Sequence, residues 1–171
     1  MKFFPSWLGT VALFLFSSTV CADSPSTVPL VPPQFHQYIN DKYGFSIYYP
    51  SSFISHGDSD AGDGLVFTSP TNDATLIATS TYCQENVYSP AKFMADYKQD
   101  EKAGRLTISY SRLTKKFAVI SGTKGARIFY DKLISDGNSC AKFSFEYERS
   151  RKDQYDPMIP RIASSLQLEP Q

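Results

Sequence analysis

Residues 141–148 read Ala-Lys-Phe-Ser-Phe-Glu-Tyr-Glu, and they carry the clearest structural pattern in the sequence. Its apolar residues alternate strictly with polar ones, which is the period of a β-strand that buries one face and exposes the other. The turn residues Asp-Gly-Asn at 136–138 precede it and separate it from another strand-like segment at 127–134. The sequence therefore predicts a strand over 141–148 whose apolar side chains face a core.

Similar patterns predict six further strands and two helices. Residues 89–104 begin with Ser-Pro, an N-cap followed by proline at the first helical position, and continue with apolar residues at helical spacing. A second helix is expected over 156–166, since Pro160 falls in its first turn, where the backbone N–H has no acceptor within the helix. The other expected strands are 45–49, 65–68, 74–82, 106–110, 117–121 and 127–134, with residues 122–125 as a hairpin loop.

The order of these elements is three strands, a helix, four strands and a helix, which indicates an α+β domain with a mostly antiparallel sheet. Charge is balanced, with 17 Lys and Arg against 17 Asp and Glu. Balanced charge argues against a general nucleic-acid binder and against a polybasic membrane-surface protein. The 11 tyrosines and 13 phenylalanines exclude a wholly disordered chain. Nothing in the composition indicates a cofactor, and we expect none.

Residues 1–22 have the features of a secretory signal peptide. One positive charge and about ten apolar residues lead to small residues before a cleavage site after Ala22. The apolar run is too short to span a bilayer, which needs about 20 residues, and no later segment could do so. A lipid anchor at Cys21 is an alternative; we expect none, because residues 18–20, Ser-Thr-Val, match a lipobox poorly. The predicted protein is exported, and is either periplasmic or secreted.

The mature chain is expected to consist of a short tether and one domain. Residues 23–36 contain four prolines, which remove backbone donors and favour an extended conformation. We expect this segment to be a strap or linker with little secondary structure of its own. No internal repeat and no second linker follows, so residues 37–168 are expected to form a single domain.

If Cys21 leaves with the signal peptide, Cys83 and Cys140 remain. An even pair of cysteines in an exported protein is most simply a disulfide. The competing interpretation is that the two thiols serve a metal ion. Zinc would need further ligands, and the two histidines, His36 and His56, are distant in the sequence. The sequence therefore predicts a disulfide between Cys83 and Cys140.

Three short motifs are typical of one known family. Residues 43–50 read Tyr-Gly-Phe-Ser-Ile-Tyr-Tyr-Pro, with an aromatic residue following at Phe53, and residues 64–67 read Gly-Leu-Val-Phe. The closing helix, 159–166, reads Ile-Pro-Arg-Ile-Ala-Ser-Ser-Leu. Together they resemble the PsbP-like superfamily (Mog/PsbP/DcrB-type domains) over roughly residues 43–168. The resemblance implies an α/β/α sandwich, an antiparallel sheet with helices on both faces.

The same resemblance bears on function. Domains of this superfamily serve mostly as scaffolds for binding other proteins. They share no catalytic motif, so no functional residue is carried over to this sequence. Function inferred from fold alone has a weak physical basis, because function depends on the site rather than on the fold.

The most site-like segment is the glycine-rich loop 57–64, which carries Asp58, Asp60 and Asp63. We interpret it as a solvated turn between two strands. One alternative is a calcium site formed by the three carboxylates. The loop departs from the EF-hand pattern, since Asp63 stands at the position that requires glycine. Another alternative is a small secreted hydrolase, or a small-molecule-binding protein, that uses this loop together with His56.

Tyrosine is the residue type that most favours an interface here. The 11 tyrosines are too many to bury with every hydroxyl satisfied, and exposed tyrosine is enriched at protein interfaces. Tyr43, Tyr48 and Tyr88 are the candidate interface residues. Basic residues are also clustered, which we interpret as solubilising charge, with a patch for an acidic partner or an anionic lipid as the alternative. These clusters are residues 115–116, 124–132 and 149–152.

Taken together, the patterns predict an exported, non-catalytic binding or accessory protein of the bacterial envelope. Its expected partner is another envelope or extracellular protein, and neither an enzyme activity nor a nucleic-acid partner is expected.

Overall fold

The structure, a computed structural model, describes residues 33–84 and 87–169. The strands are β1 (Phe35–Asn40), β2 (Phe45–Pro50), β3 (Ile54–Asp58), β4 (Gly64–Thr68), β5 (Ala74–Tyr82), β6 (Thr107–Leu113), β7 (Phe117–Lys124), β8 (Arg127–Ser135), β9 (Ser139–Glu148) and β10 (Gln167–Leu168). The helices are α1 (Pro90–Lys102), α2 (Lys152–Tyr155) and α3 (Ile159–Ser165). Short 3-10 turns, Arg149–Arg151 and Asp156–Met158, flank α2.

The strand predicted at 141–148 is β9, at the centre of an antiparallel sheet with the order β3-β4-β5-β9-β8-β7-β6. It pairs with β5 on one side and with β8 on the other. Phe143, Phe145 and Tyr147 are fully buried on one face of this sheet. The predicted strand and the predicted α+β class with a mostly antiparallel sheet are therefore confirmed.

The face of the sheet that carries these aromatic residues, here called the inner face, is covered by a second layer. A smaller antiparallel sheet in the order β1-β2-β10 and the helices α2 and α3 pack against it. The main core therefore lies between these two layers. The second layer contributes the buried side chains of Phe45, Ile47, Tyr155 and Ile162 to this core. Each large apolar side chain that is fully buried stabilises the fold by about 1.5–3 kcal/mol.

The opposite face of the large sheet, here called the outer face, carries α1. The helix begins as predicted, with Pro90 in its first turn and the Ser89 hydroxyl accepting a hydrogen bond from the backbone N–H of Lys92 at 3.2 Å. The helix contacts β6, β7 and β8. Helices thus lie on both faces of the sheet, as predicted. A small second core forms beneath α1 from Met94, Ala118, Ile120 and Phe129.

The predicted hairpin loop at residues 122–125 is wrong. β7 continues to Lys124, which leaves only a two-residue turn before β8. Gly122 is a strand residue, and it is glycine because β6 crosses close to it. A Cβ at this position would lie 1.9 Å from the backbone oxygen of Thr107.

The predicted C-terminal helix over 156–166 is shorter than expected. The α-helical part begins at Ile159, and a 3-10 turn that contains Pro157 precedes it. Proline removes a backbone donor and favours such breaks. Sequence patterning also does not predict β1, β3 or β10, and β1 begins at Phe35, inside the segment expected to be a strap.

The predicted disulfide is confirmed. Cys83 follows β5, Cys140 lies in β9, and their Cα atoms are 5.2 Å apart, within the usual range for a bridge. The predicted signal peptide, Cys21 and residues 23–32 of the strap lie outside the described residues. Within 33–84 and 87–169, none of the helices has the length and apolar character needed to cross a bilayer.

Candidate binding surfaces

The predicted acidic loop connects β3 to β4. Asp58 is the last residue of β3, and Asp60 and Asp63 lie in the turn that follows. The Ser59 hydroxyl donates a hydrogen bond to the Asp63 carboxylate, and the Lys42 ammonium donates to a backbone carbonyl of the same loop. Among the described residues, no three His, Cys, Asp or Glu side chains are grouped to hold a metal ion. The calcium alternative stays a prediction.

The two histidines lie on different sheets. His36 is on β1, where its ring contacts Tyr49 with 5.8 Å between the ring centroids. His56 is on β3, and its Nε2 lies 2.7 Å from the Thr68 hydroxyl oxygen. The hydrolase alternative, which combines His56 with the acidic loop, also stays a prediction.

The three candidate interface tyrosines are half-buried and have different neighbours. The ring of Tyr43 lies 6.4 Å from that of Tyr82, between centroids. The guanidinium group of Arg161 in α3 lies over the ring of Tyr48, and its carbon is 4.6 Å from the ring centroid. Burial raises the pKa of Tyr88 to about 12. Their role as an interface stays a prediction, whereas the more exposed tyrosines are Tyr82 and Tyr110, at 67% and 50%.

The part of the outer face formed by β3, β4 and β5 lies beyond the strands that α1 contacts. Strand pairing brings its side chains into rows, with Ile54 beside Thr68 and Thr75, and Val66 beside Ile77. The exposed fractions are 52% for Ile54 and 37% for Ile77. We call this surface the open face and define it by these five residues, all of which are uncharged.

A groove with a volume of about 560 Å³ lies on the inner face, between β6, β7, β8 and the residues of α3 and β10. Arg112, Val119 and Lys132 lie side by side in one cross-strand row along its floor. Ala163 of α3 and Leu168 of β10 contribute to the opposite wall. We call this surface the basic groove, because its lining includes Arg112, Lys116 and Lys132 but no carboxylate.

Lys132 is the most buried cation of the basic groove. It is half-buried, and its ammonium group donates a hydrogen bond to the backbone carbonyl of Ala163, in the last turn of α3. Burial lowers the pKa of Lys132. The sequence contains a signal for this position. Lys132 alternates with Tyr130 and Ile134, whose side chains pack against the core, so a lysine stands where the strand period calls for an apolar residue.

The predicted basic clusters do not form one patch. Several of their members are engaged in ion pairs on other parts of the surface. Arg127 pairs with Glu146 at 3.6 Å, and Arg151 pairs with Asp73 at 3.1 Å, measured between nitrogen and oxygen. Lys132, together with Lys116 of the first cluster, lines the basic groove instead.

Sequence reasoning also missed a buried carboxylic acid under α1. Asp131 is 2% exposed and accepts a hydrogen bond from the Tyr97 hydroxyl. Burial raises the pKa of Asp131 to about 6, and hydrogen bonds from Ser144 and Tyr97 only partly oppose that effect. This group lies beside Ile120 of the second core and is bonded to Tyr97 of α1, so we assign it to the packing of α1 rather than to a binding surface.

The similarity of this chain to known proteins is found among solved structures. No protein-family model matches the chain, and no curated protein matches it. Among solved structures, the chain is similar to the cyanobacterial PsbP protein CyanoP of Synechocystis sp. PCC 6803. The TM-score is 0.58 at 12% identity, and the match covers 82% of this chain and 95% of that one.

Two further structures share the architecture. The Ran-binding protein Mog1p of Saccharomyces cerevisiae matches with a TM-score of 0.56 at 7% identity, over 80% of this chain and 96% of that one. LpqN of Mycobacterium tuberculosis, a protein involved in cell envelope biogenesis, matches with a TM-score of 0.50 at 14% identity, over 82% and 93%. Likeness at such low identity shows the fold and not a shared activity. The chain therefore has the PsbP-like α+β fold, as the motifs in its sequence predict.

Proposed function

We propose that this chain is an exported, non-catalytic binding or accessory protein of the bacterial envelope, and that it docks another envelope protein through the open face. The signal-like sequence of residues 1–22 and the Cys83–Cys140 disulfide support export, since disulfides persist in oxidising compartments. Of the proteins that share the fold, one is a Ran-binding protein and another is involved in cell envelope biogenesis.

The observation that carries this proposal is the composition of the open face. It presents Ile54, Val66 and Ile77 together with two threonine hydroxyls, and none of its five residues is charged. At its border, Thr75 pairs with Glu146, which forms an ion pair with Arg127. An uncharged centre bordered by charged groups is the usual anatomy of a protein interface.

The test is a crosslinking pull-down of the tagged protein from the envelope fraction, with partners identified by mass spectrometry. We expect a reproducible envelope partner that is lost from the double variant Ile54→Asp/Ile77→Asp, because a carboxylate at the centre of an interface would be buried unpaired. The intact mass of the recovered protein should correspond to a chain that begins at Asp23.

The matched control is Ile39→Asp. Ile39 is 53% exposed on β1 of the smaller sheet, so the same substitution is made at an equally exposed isoleucine elsewhere. The control should retain the partner, and all variants should keep the melting temperature of the wild type to within a few degrees. A partner retained by the double variant, or lost equally from the control, would refute docking through the open face.

A further inference from the structure

The basic groove combines two surfaces of opposite character. Its apolar part comes from Val119 and Ile134 of the sheet and from Ala163 and Leu168 on the other side. Its volume of about 560 Å³ lies within the range of small-molecule sites, which are concave and mostly apolar with a few polar groups that orient the ligand.

The charged part of the groove is not neutralised by the protein. Arg112, Lys116 and Lys132 line it, and within the described residues none of the three forms an ion pair with a carboxylate. The guanidinium of Arg112 lies over the ring of Phe117, 5.3 Å from its centroid. Arg112 and Lys132 therefore place positive charge on both sides of Val119 in the cross-strand row.

Lys132 is half-buried, and no carboxylate among the described residues pairs with its ammonium group. A partly buried ammonium group is stabilised by negative partners, and it has three N–H donors. One of them binds the carbonyl of Ala163, which accounts for the position of the side chain against the C-terminal end of α3. An anion in the groove would supply the opposite charge that the protein itself does not place there.

From this combination we infer that the basic groove binds a single acyl chain that carries an anionic head group. The head lies between Arg112 and Lys132, over Val119, and the chain runs from there along Ile134 beneath Leu168. A small inorganic anion would leave the apolar wall unused, and a neutral hydrocarbon would leave the cations uncompensated. This inference goes beyond the proposed function and uses residues separate from the open face.

The test is calorimetric titration of the full exported domain with laurate below its micelle concentration, in parallel with methyl laurate and acetate. We expect saturable one-to-one binding of laurate. Methyl laurate keeps the chain but lacks the charge, and it should bind at least about tenfold more weakly, because it cannot form a charge-assisted hydrogen bond with the cations of the groove. Acetate keeps only the head group and should show no saturable binding.

Two variants then locate the site. Lys132→Met keeps the length and volume of the side chain but removes the ammonium group, and Arg112→Gln removes the charge of an exposed residue. Each should weaken laurate binding about tenfold or more. Lys142→Met is the matched control, because Lys142 is also half-buried but lies on the outer face, over the ring of Tyr88. It should bind laurate like the wild type.

Several outcomes would overturn the inference. They are the absence of saturable laurate binding, equal affinity for laurate and methyl laurate, and unchanged affinity in both groove variants. The open-face variant Ile77→Asp separates the two proposals. This variant should bind laurate with wild-type affinity. If docking through the open face fails, the laurate result still stands, and if laurate does not bind, docking through the open face can still be observed.

Discussion

At the scale of single residues, Asp131 shows how burial controls a protonation state. Its carboxyl group is enclosed beneath α1, with the Tyr97 hydroxyl as a donor and Glu146 and Lys142 as the nearby charges. Burial disfavours the charged form more than the hydrogen bonds favour it, and the pKa rises from 3.8 to about 6. The folded protein therefore binds a proton on Asp131 at pH values where the unfolded chain does not.

This gives a prediction about the pH dependence of stability. Between the unfolded pKa of 3.8 and the folded value of about 6, the native state holds more protons, so the free energy of unfolding falls as pH rises through this window. Asp131→Asn keeps the shape and cannot ionise. It should therefore gain stability relative to the wild type as pH rises, by up to about 3 kcal/mol, since each unit of pKa is worth about 1.4 kcal/mol.

Urea unfolding of both proteins at several pH values across this window checks the prediction. The difference between the two curves isolates Asp131, because the other ionisable groups are common to both proteins. A constant difference between wild type and Asp131→Asn at every pH would contradict the assignment.

Asp73 provides the opposite case. Burial alone would raise its pKa, but hydrogen bonds from Ser69 and Tyr155 outweigh the effect of burial and lower the pKa below 3.8.

At the scale of elements, the disulfide joins the end of β5 to its neighbour β9. These two strands already share nine paired residues, from Ala74 with Tyr147 to Tyr82 with Ser139. The bridge spans a separation of 57 residues, so its main effect in the chain-entropy model is to restrict the unfolded state, by about 4 kcal/mol. The nine residue pairs of the two strands do not include Cys83, which follows β5.

We therefore expect the double variant Cys83→Ser/Cys140→Ala to fold and to keep its β-sheet circular dichroism. Its urea midpoint should fall clearly below that of the oxidised wild type, and reducing the wild type should have the same effect as the substitutions. Equal midpoints for the oxidised and reduced wild type would mean that the bridge contributes nothing to stability. Loss of the sheet in the variant would mean that the β5–β9 pairing depends on the bridge.

The elements also show which parts of the fold a sequence can predict. β9 was predictable because a strand buried on one face must alternate, and residues 141–148 do so without exception. β1 was not, because its side chains do not follow a period of two in burial. The sequence predicts Gly122 in a turn, because glycine occurs both in turns and where another backbone approaches closely. Glycine is required here by the approach of Thr107 from β6, a residue 15 positions away that no local pattern reveals.

At the scale of the whole molecule, the candidate surfaces were less predictable than the fold. The basic groove draws its lining from three strands of one sheet, a helix and a strand of the other sheet. Only Lys132, at an inward position of β8, carries a local signal. The open face exists because α1 reaches β6, β7 and β8 but not the far strands, and the extent of such coverage depends on tertiary packing. Tyrosine content indicated exposed rings, but it did not identify Tyr82 and Tyr110.

Site-specific photo-crosslinking in living cells tests whether the open face docks an envelope protein. A photoreactive phenylalanine analogue replaces Ile77 in one strain and Ile39 in another, since both positions are exposed but lie on different sheets. We expect one discrete crosslinked product from position 77 and none from position 39. No product from position 77, or the same product from both positions, would contradict it.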